Sequence, residues 1–161
     1  MRMELDAQAL VNAMQPTMKR LGVAYAAEAG QNINEGKAGG DAIPELDWPR
    51  LDGTTDHPLK GNGKLVRSLS GDAILADGTV LATIESDHPG ALHLLLGTMG
   101  KGGQLAPIHP RTQDKMVFAV YSATAPRRRR MVETTEVNFK PRNYLAMTKD
   151  KTSAIVSAAA K

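Results

Sequence analysis

Near its start the chain places apolar side chains at Leu10, Met14, Met18, Leu21, Tyr25, Ala29 and Ile33. Steps of three and four set these on one helical face, so the spacing predicts a long amphipathic helix from Leu5 to Ile33. Asp6 is placed to cap it, because its carboxylate can accept from an unpaired backbone N–H of the first turn. Pro16 removes one donor and disfavours helical geometry at Gln15. This leaves two options: a kinked helix, or two helices with Pro16 opening the second.

From Gly36 to Gly63 the pattern dissolves into Gly39-Gly40, Pro44, Pro49, Gly53 and Pro58, which predicts a long loop. Loops of this length serve function or order on binding, and Trp48, the only Trp, is suited to anchor this one on an apolar surface. Between Gly71 and Glu85 two β-prone runs flank Asp77-Gly78, a pair that accepts the positive φ of a tight hairpin turn. Pro89 to Leu96 makes a short helix ended by Gly97, and Thr98 to Thr112 is a second long loop. Met116–Tyr121 and Met131–Phe139 predict another hairpin, with Ser122 to Arg130 as its basic tip. Thr148 caps a last helix through Ala159, with Asp150 in its first turn and Lys161 at its end. The sum is an α+β fold: a long N-terminal helix, a small antiparallel sheet of hairpins, a short middle helix, a C-terminal helix and long Gly/Pro-rich loops.

The length, 161 residues, fits a single domain over 1–161. Aromatic residues are only 4% of the chain, so packing must rest on Leu, Ile, Val, Ala and eight Met. Such a core is thin, and association with neighbouring subunits would help it. Cysteine is absent, which removes disulfides, thiolate metal sites and cysteine nucleophiles together. No apolar run reaches the roughly 18–20 residues that span a bilayer, and Met1 to Asp6 lacks a signal-peptide pattern. A soluble protein, cytoplasmic when made and without a membrane partner, is expected. The net charge of +3 is mild and much of it sits in Arg127, Arg128, Arg129 and Arg130.

A search for chemistry finds little. The Gly-x-Ser-x-Gly signature of a nucleophile elbow does not occur, which leaves Ser68 and Ser70 as ordinary polar residues. Gly61-Asn62-Gly63-Lys64 falls short of a phosphate loop, since Pro58 stands where the first Gly belongs and Leu65 where Ser or Thr belongs. Of the histidines His57, His88, His93 and His109, the closest pair is five residues apart with Pro89 between, unlike zinc ligands on one helix face. A site on Asp87 and His88 competes with a turn-capping role, which is favoured. No enzyme, cofactor or metal site is expected.

Three segments in order resemble the virion-morphogenesis, or tail-completion, family of tailed phages typified by phage Mu, and more distantly the tail-completion proteins of siphophages. Trp48 to Thr54 followed by Pro58 to Leu69 is similar to the family's Trp-x-x-Leu-x-x-x-Thr and Leu-x-x-x-Gly-x-Leu-x-x-Ser-Leu, matched at Trp48, Leu59, Gly63, Leu65, Ser68 and Leu69. Ala91 to Thr98 is similar to Tyr-Ala-x-x-His-x-Phe-Gly, with His93 standing for its His, Leu96 for the aromatic and Gly97 for its Gly, the His-to-Gly spacing being one residue longer here. Phe139 to Leu145, which holds Pro141, resembles Pro-Ala-Arg-Pro-Phe-Leu, with Leu145 in place and Asn143 for the second Pro.

The resemblance implies a structural protein of the virion head–tail joint, assembled in the host cytoplasm as a ring, commonly a homohexamer. Its implied partners are further copies of itself, the head connector or stopper proteins, the tail tube protein and the genome DNA passing through the lumen. Tail-terminator and connector positions both stay open. Arg127 to Arg130 would contact a partner protein or DNA; protein contact or a solvated hairpin tip is favoured over DNA because no aromatic residues interleave the arginines for base stacking. The alternative is a small basic nucleic-acid-binding module using the Arg run with Lys64, Arg67 and Lys140. An unrecognised enzyme would have to draw on Asp87, His88 and His93.

Overall fold

The computed structural model describes residues 7–45, 59, 63–112, 114–121 and 129–161, with Ala7, residues 118–121, Arg129 and Arg130 described as backbone only. The expected roles of Asp6, Trp48, His57, Arg127 and Arg128 therefore lie outside the described residues. Helix α1 (Ala7–Glu35) runs unbroken with Pro16 inside it, which removes the two-helix option. One missing donor is tolerated because each further residue of an established helix adds its own hydrogen bond.

Gly36, at φ 69°, ends the helix. The expected loop then opens with a miniature hairpin, β1 (Lys37–Ala38) and β2 (Asp41–Ala42), turned by Gly39 and Gly40 at φ 63° and 96°. A single helical turn, α2 (Lys64–Ser68), leads into β3 (Leu69–Ala76), which pairs antiparallel with β4 (Thr79–Ser86). Asp77 and Gly78 take φ 51° and 76°, the two positive values of the tight turn that an Asp-Gly pair favours. Helix α3 (Ala91–Leu96) stops at Gly97, φ 64°, ahead of a 3₁₀ turn at Met99–Lys101. The last elements are β5 (Met116–Tyr121), β6 (Arg129–Thr134) and α4 (Lys149–Ala159). Thr148 caps α4 by accepting from the Lys151 N–H at 3.3 Å.

The class is α+β, but the strands form three separate two-stranded ladders among the described residues, not one sheet. The second hairpin also departs from the pattern. Strand β6 spans 129–134 where 131–139 was expected. Thr134 Oγ1 donates to the Glu136 carbonyl (2.6 Å) and accepts from its N–H (3.2 Å), turning the chain out of the ladder. Val137 pairs instead with Ile108. Arg129 and Arg130 are thus ladder positions opposite Tyr121 and Val120, not residues of a turn.

The core follows from one contact. A Cβ built on Gly71 of β3 would lie 2.0 Å from the carbonyl carbon of Gly22, and one on Gly22 would lie 2.5 Å from the Asp72 carbonyl oxygen. Helix α1 therefore rests backbone to backbone on the β3–β4 ladder. Beyond this point Ala29 and Ile33 join Ala38, Ile43, Leu59, Leu65, Ala91 and Tyr144 in the buried cluster. Alanine dominates the buried set, and no described methionine belongs to it.

The helical face that the periodicity marked is buried only towards its C-terminal end, at Ala29 and Ile33. Gly22, Ala26 and Gly30 are buried, whereas Leu10 and Met14 are 51% and 44% exposed. The reason is reach. A 29-residue helix is about 44 Å long and an eight-residue ladder about 26 Å, so α1 outruns the surface beneath it.

Helix α4 is held against α1 by polar contacts. Arg20 donates through Nε and Nη2 to the carbonyl of Ala159 (3.1 and 2.8 Å), taking the end-capping place expected of Lys161. Lys151 is hydrogen-bonded and ion-paired to Glu28, and this bond raises the Lys151 pKa.

Gly71→Ala should destabilise the fold by about 3 kcal/mol, because the clashing atoms are backbone and cannot step aside; urea unfolding checks this against the exposed Ser70→Ala. For Lys151, a pKa raised on folding means that the pair's contribution is complete below the ordinary value of 10.5 and is lost as pH rises through the higher native value. The decline in Tm from about pH 9 to 12 should therefore be shallower in Lys151→Met than in the parent. Identical slopes would show that the pair adds nothing.

Candidate functional site

The residues singled out by the late, middle and early motif segments come together at one corner. Gly63, at φ 74°, starts α2 in a left-handed conformation, and its carbonyl accepts from Arg67 N–H at 3.0 Å. The turn directs Leu65 into the buried cluster beside Leu59, with Leu69 packed against it. Ser68 Oγ donates to the Leu65 carbonyl at 2.7 Å and lies 2.7 Å from Ser86 Oγ, which also accepts from His88 N–H at 3.2 Å. His88 Nδ1 accepts in turn from Gly90 N–H at 3.1 Å. With Nδ1 an acceptor, a neutral His88 carries its proton on Nε2. This chain of bonds closes the entry to α3.

At the other end of α3, Gly97 permits a crossing that no other residue would. A Cβ there would lie 2.4 Å from the Pro141 nitrogen, and its φ of 64° is unfavourable for L side chains. Thr98, fully buried, locks the crossing. Its N–H donates to the Phe139 carbonyl (2.9 Å), while its Oγ1 donates to Asn138 Oδ1 (2.7 Å) and accepts from Phe139 N–H (3.0 Å). His93 sets its ring edge-on to Phe139, centroids 6.4 Å apart. Leu145 packs on the cluster.

Arg142, only 2% exposed, is the polar centre of this corner. Its guanidinium donates to the carbonyls of Pro44 (3.0 Å), Lys140 (3.1 Å) and Glu45 (2.8 Å), and its backbone N–H donates to the Leu94 carbonyl (2.9 Å). Asn32, also buried, donates from Nδ2 to the carbonyls of Tyr144 and Ala146, 3.0 Å each. Tyr144 is buried as well, and burial pushes its phenol above the usual range.

No family model, curated protein or solved structure matches the chain.

The corner is built for cohesion. A cleft of about 230 Å³ beside it is walled by Leu92, Leu95 and Tyr144, and its polar lining includes Ser86 and His88, both engaged in the bonds above. Among the described residues no group of three or more His, Asp or Glu side chains is placed to hold a metal ion. Asp87, His88 and His93 are not gathered: His88 turns back on Gly90, while His93 lies against Phe139. The described part of the arginine run, Arg129 and Arg130, stands apart on β6.

The sequence gives Asn32 no mark of its own, and Thr98, Arg142 and Tyr144 have one signal only, their place inside the Ala91–Thr98 and Phe139–Leu145 segments. Arg142→Met keeps the length of the side chain and removes its donors, leaving three carbonyls without this partner. It should lower stability by about 3 kcal/mol and speed amide exchange in β1 and β2 and their flanks. Lysine, a point donor, should restore only part of the loss.

Proposed function

We propose that this chain is a non-enzymatic structural subunit of a tailed-phage particle, forming a ring at the head–tail joint between the tail tube and the head connector. One observation carries the reading: the three segments that resemble the tail-completion family pack on one another. Leu59 and Leu65, Ala91 and Tyr144 come from different segments and share one buried cluster, and Gly97 meets Pro141 backbone to backbone. Chance matches scattered along a chain have no reason to converge; positions that define a common framework do.

The chemistry supports the same reading. The motif side chains are engaged in packing and in bonds to backbone groups, leaving surface, not reactivity, as what the molecule offers. Leu10 and Met14 stand exposed on the overhanging half of α1, and each ladder presents edges unpaired among the described residues. Such edges and apolar helix faces are natural contacts in a closed ring, where one surface meets a different surface of the next copy.

Negative-stain images of particles made without this protein provide the test. Filled heads separated from tails are the expected outcome; normally attached tails would contradict the proposal.

A further inference from the structure

We infer that the β5–β6 ladder is an arm received by a second copy of this chain, laid along the open edge of β3 in the groove between β3 and α1. The inference deepens the ring reading and rests on it for the partner's identity. It begins from an imbalance. A two-stranded hairpin alone is marginal in water, yet among the described residues β5 and β6 pair only with each other, and no other helix or strand packs extensively on them. The Ile108–Val137 bridge ties their base to the body. Val117 and Met131 occupy one face of this ladder and are 54% and 60% exposed.

The body holds a matching groove. Beside β3 a space of about 570 Å³ is floored by Ala26, Ala27 and Gly30 of α1, walled by Val23 and bordered by Ser70 and Gly71. Val23 is itself 50% exposed. Small residues keep the groove open, and the β3 edge away from β4 has no strand partner among the described residues. An incoming strand would be held there by backbone hydrogen bonds, with alternate side chains directed into the groove.

Charge selects the pairing. Residues 69–86 carry Asp72, Asp77 and Glu85 and no Lys or Arg, whereas residues 115–134 carry Lys115 and Arg127 to Arg130 against the single carboxylate of Glu133. Asp72 already faces Lys19 at 3.3 Å, so the attraction rests on Asp77 and Glu85. Opposite charges favour arm to β3–β4 and disfavour arm to arm. The two surfaces are different parts of one chain, so the contact repeats from copy to copy and can close on itself.

The chain has no cysteine, which makes cross-linking clean. Full-length Val23→Cys and Met131→Cys proteins are purified separately, mixed and mildly oxidised. The mixture should give a disulfide-linked pair far in excess of a control mixture of Val156→Cys with Met131→Cys, and Arg129→Glu with Arg130→Glu should weaken self-association about tenfold by sedimentation. Cross-linking no better than the control, linkage within one chain in the double variant Val23→Cys/Met131→Cys, or unchanged association of the charge variant each overturns the inference. A ring whose copies fail to link at these positions removes the arm and leaves the neck reading standing.

Discussion

The architecture depends on two glycines. Gly22 and Gly71 let a helix and a strand touch backbone to backbone, closer than any pair of side chains would allow. At that separation α1 needs only Ala26, Ala29 and Gly30 to fill the space beneath it, which is why a chain poor in aromatics can still close a core. The core is small, and much apolar surface is left outside it: Leu10 and Met14 on the helix, Ile74 and Leu81 on the ladder. A protein built this way holds its shape with little and leaves the remainder exposed.

Polar groups provide what the thin core does not. Arg142, Asn32 and Thr98 donate to carbonyls or side-chain oxygens of segments remote in sequence, so loops without regular structure are fixed by directed bonds. Each of these three buried donors has an acceptor at bonding distance, the condition under which buried polarity gives specificity instead of strain. Loops held in a defined place gain from this more than from a larger apolar interior.

Features set by local chemistry were legible in the sequence. Asp77-Gly78 announced its hairpin, Thr148 its helix and Gly97 its helix end, because each acts on backbone within a few residues. Features set by remote partners were not. Gly22 inside a helical pattern looks like a weak point, and only the presence of Gly71 turns it into a contact. The end of β6 is decided by Ile108, which draws Val137 into a different pairing. Met14, which periodicity set on the apolar face, stays outside because the helix is longer than its support. At the corner, Leu59, Leu65 and Leu145 could be picked out through their motif, whereas the burial of Arg142 could not be foreseen: an arginine is buried only when carbonyls converge on it, and those of Pro44 and Glu45 lie 98 and 97 positions away.

That separation has a consequence for synthesis. A ribosome delivers the chain from its N-terminus, and domains consolidate as their contacts become available. The corner around Pro44 and Glu45 lacks its central donor until residue 142 has emerged, 98 and 97 positions later. Early segments must wait, half organised, for that arrival.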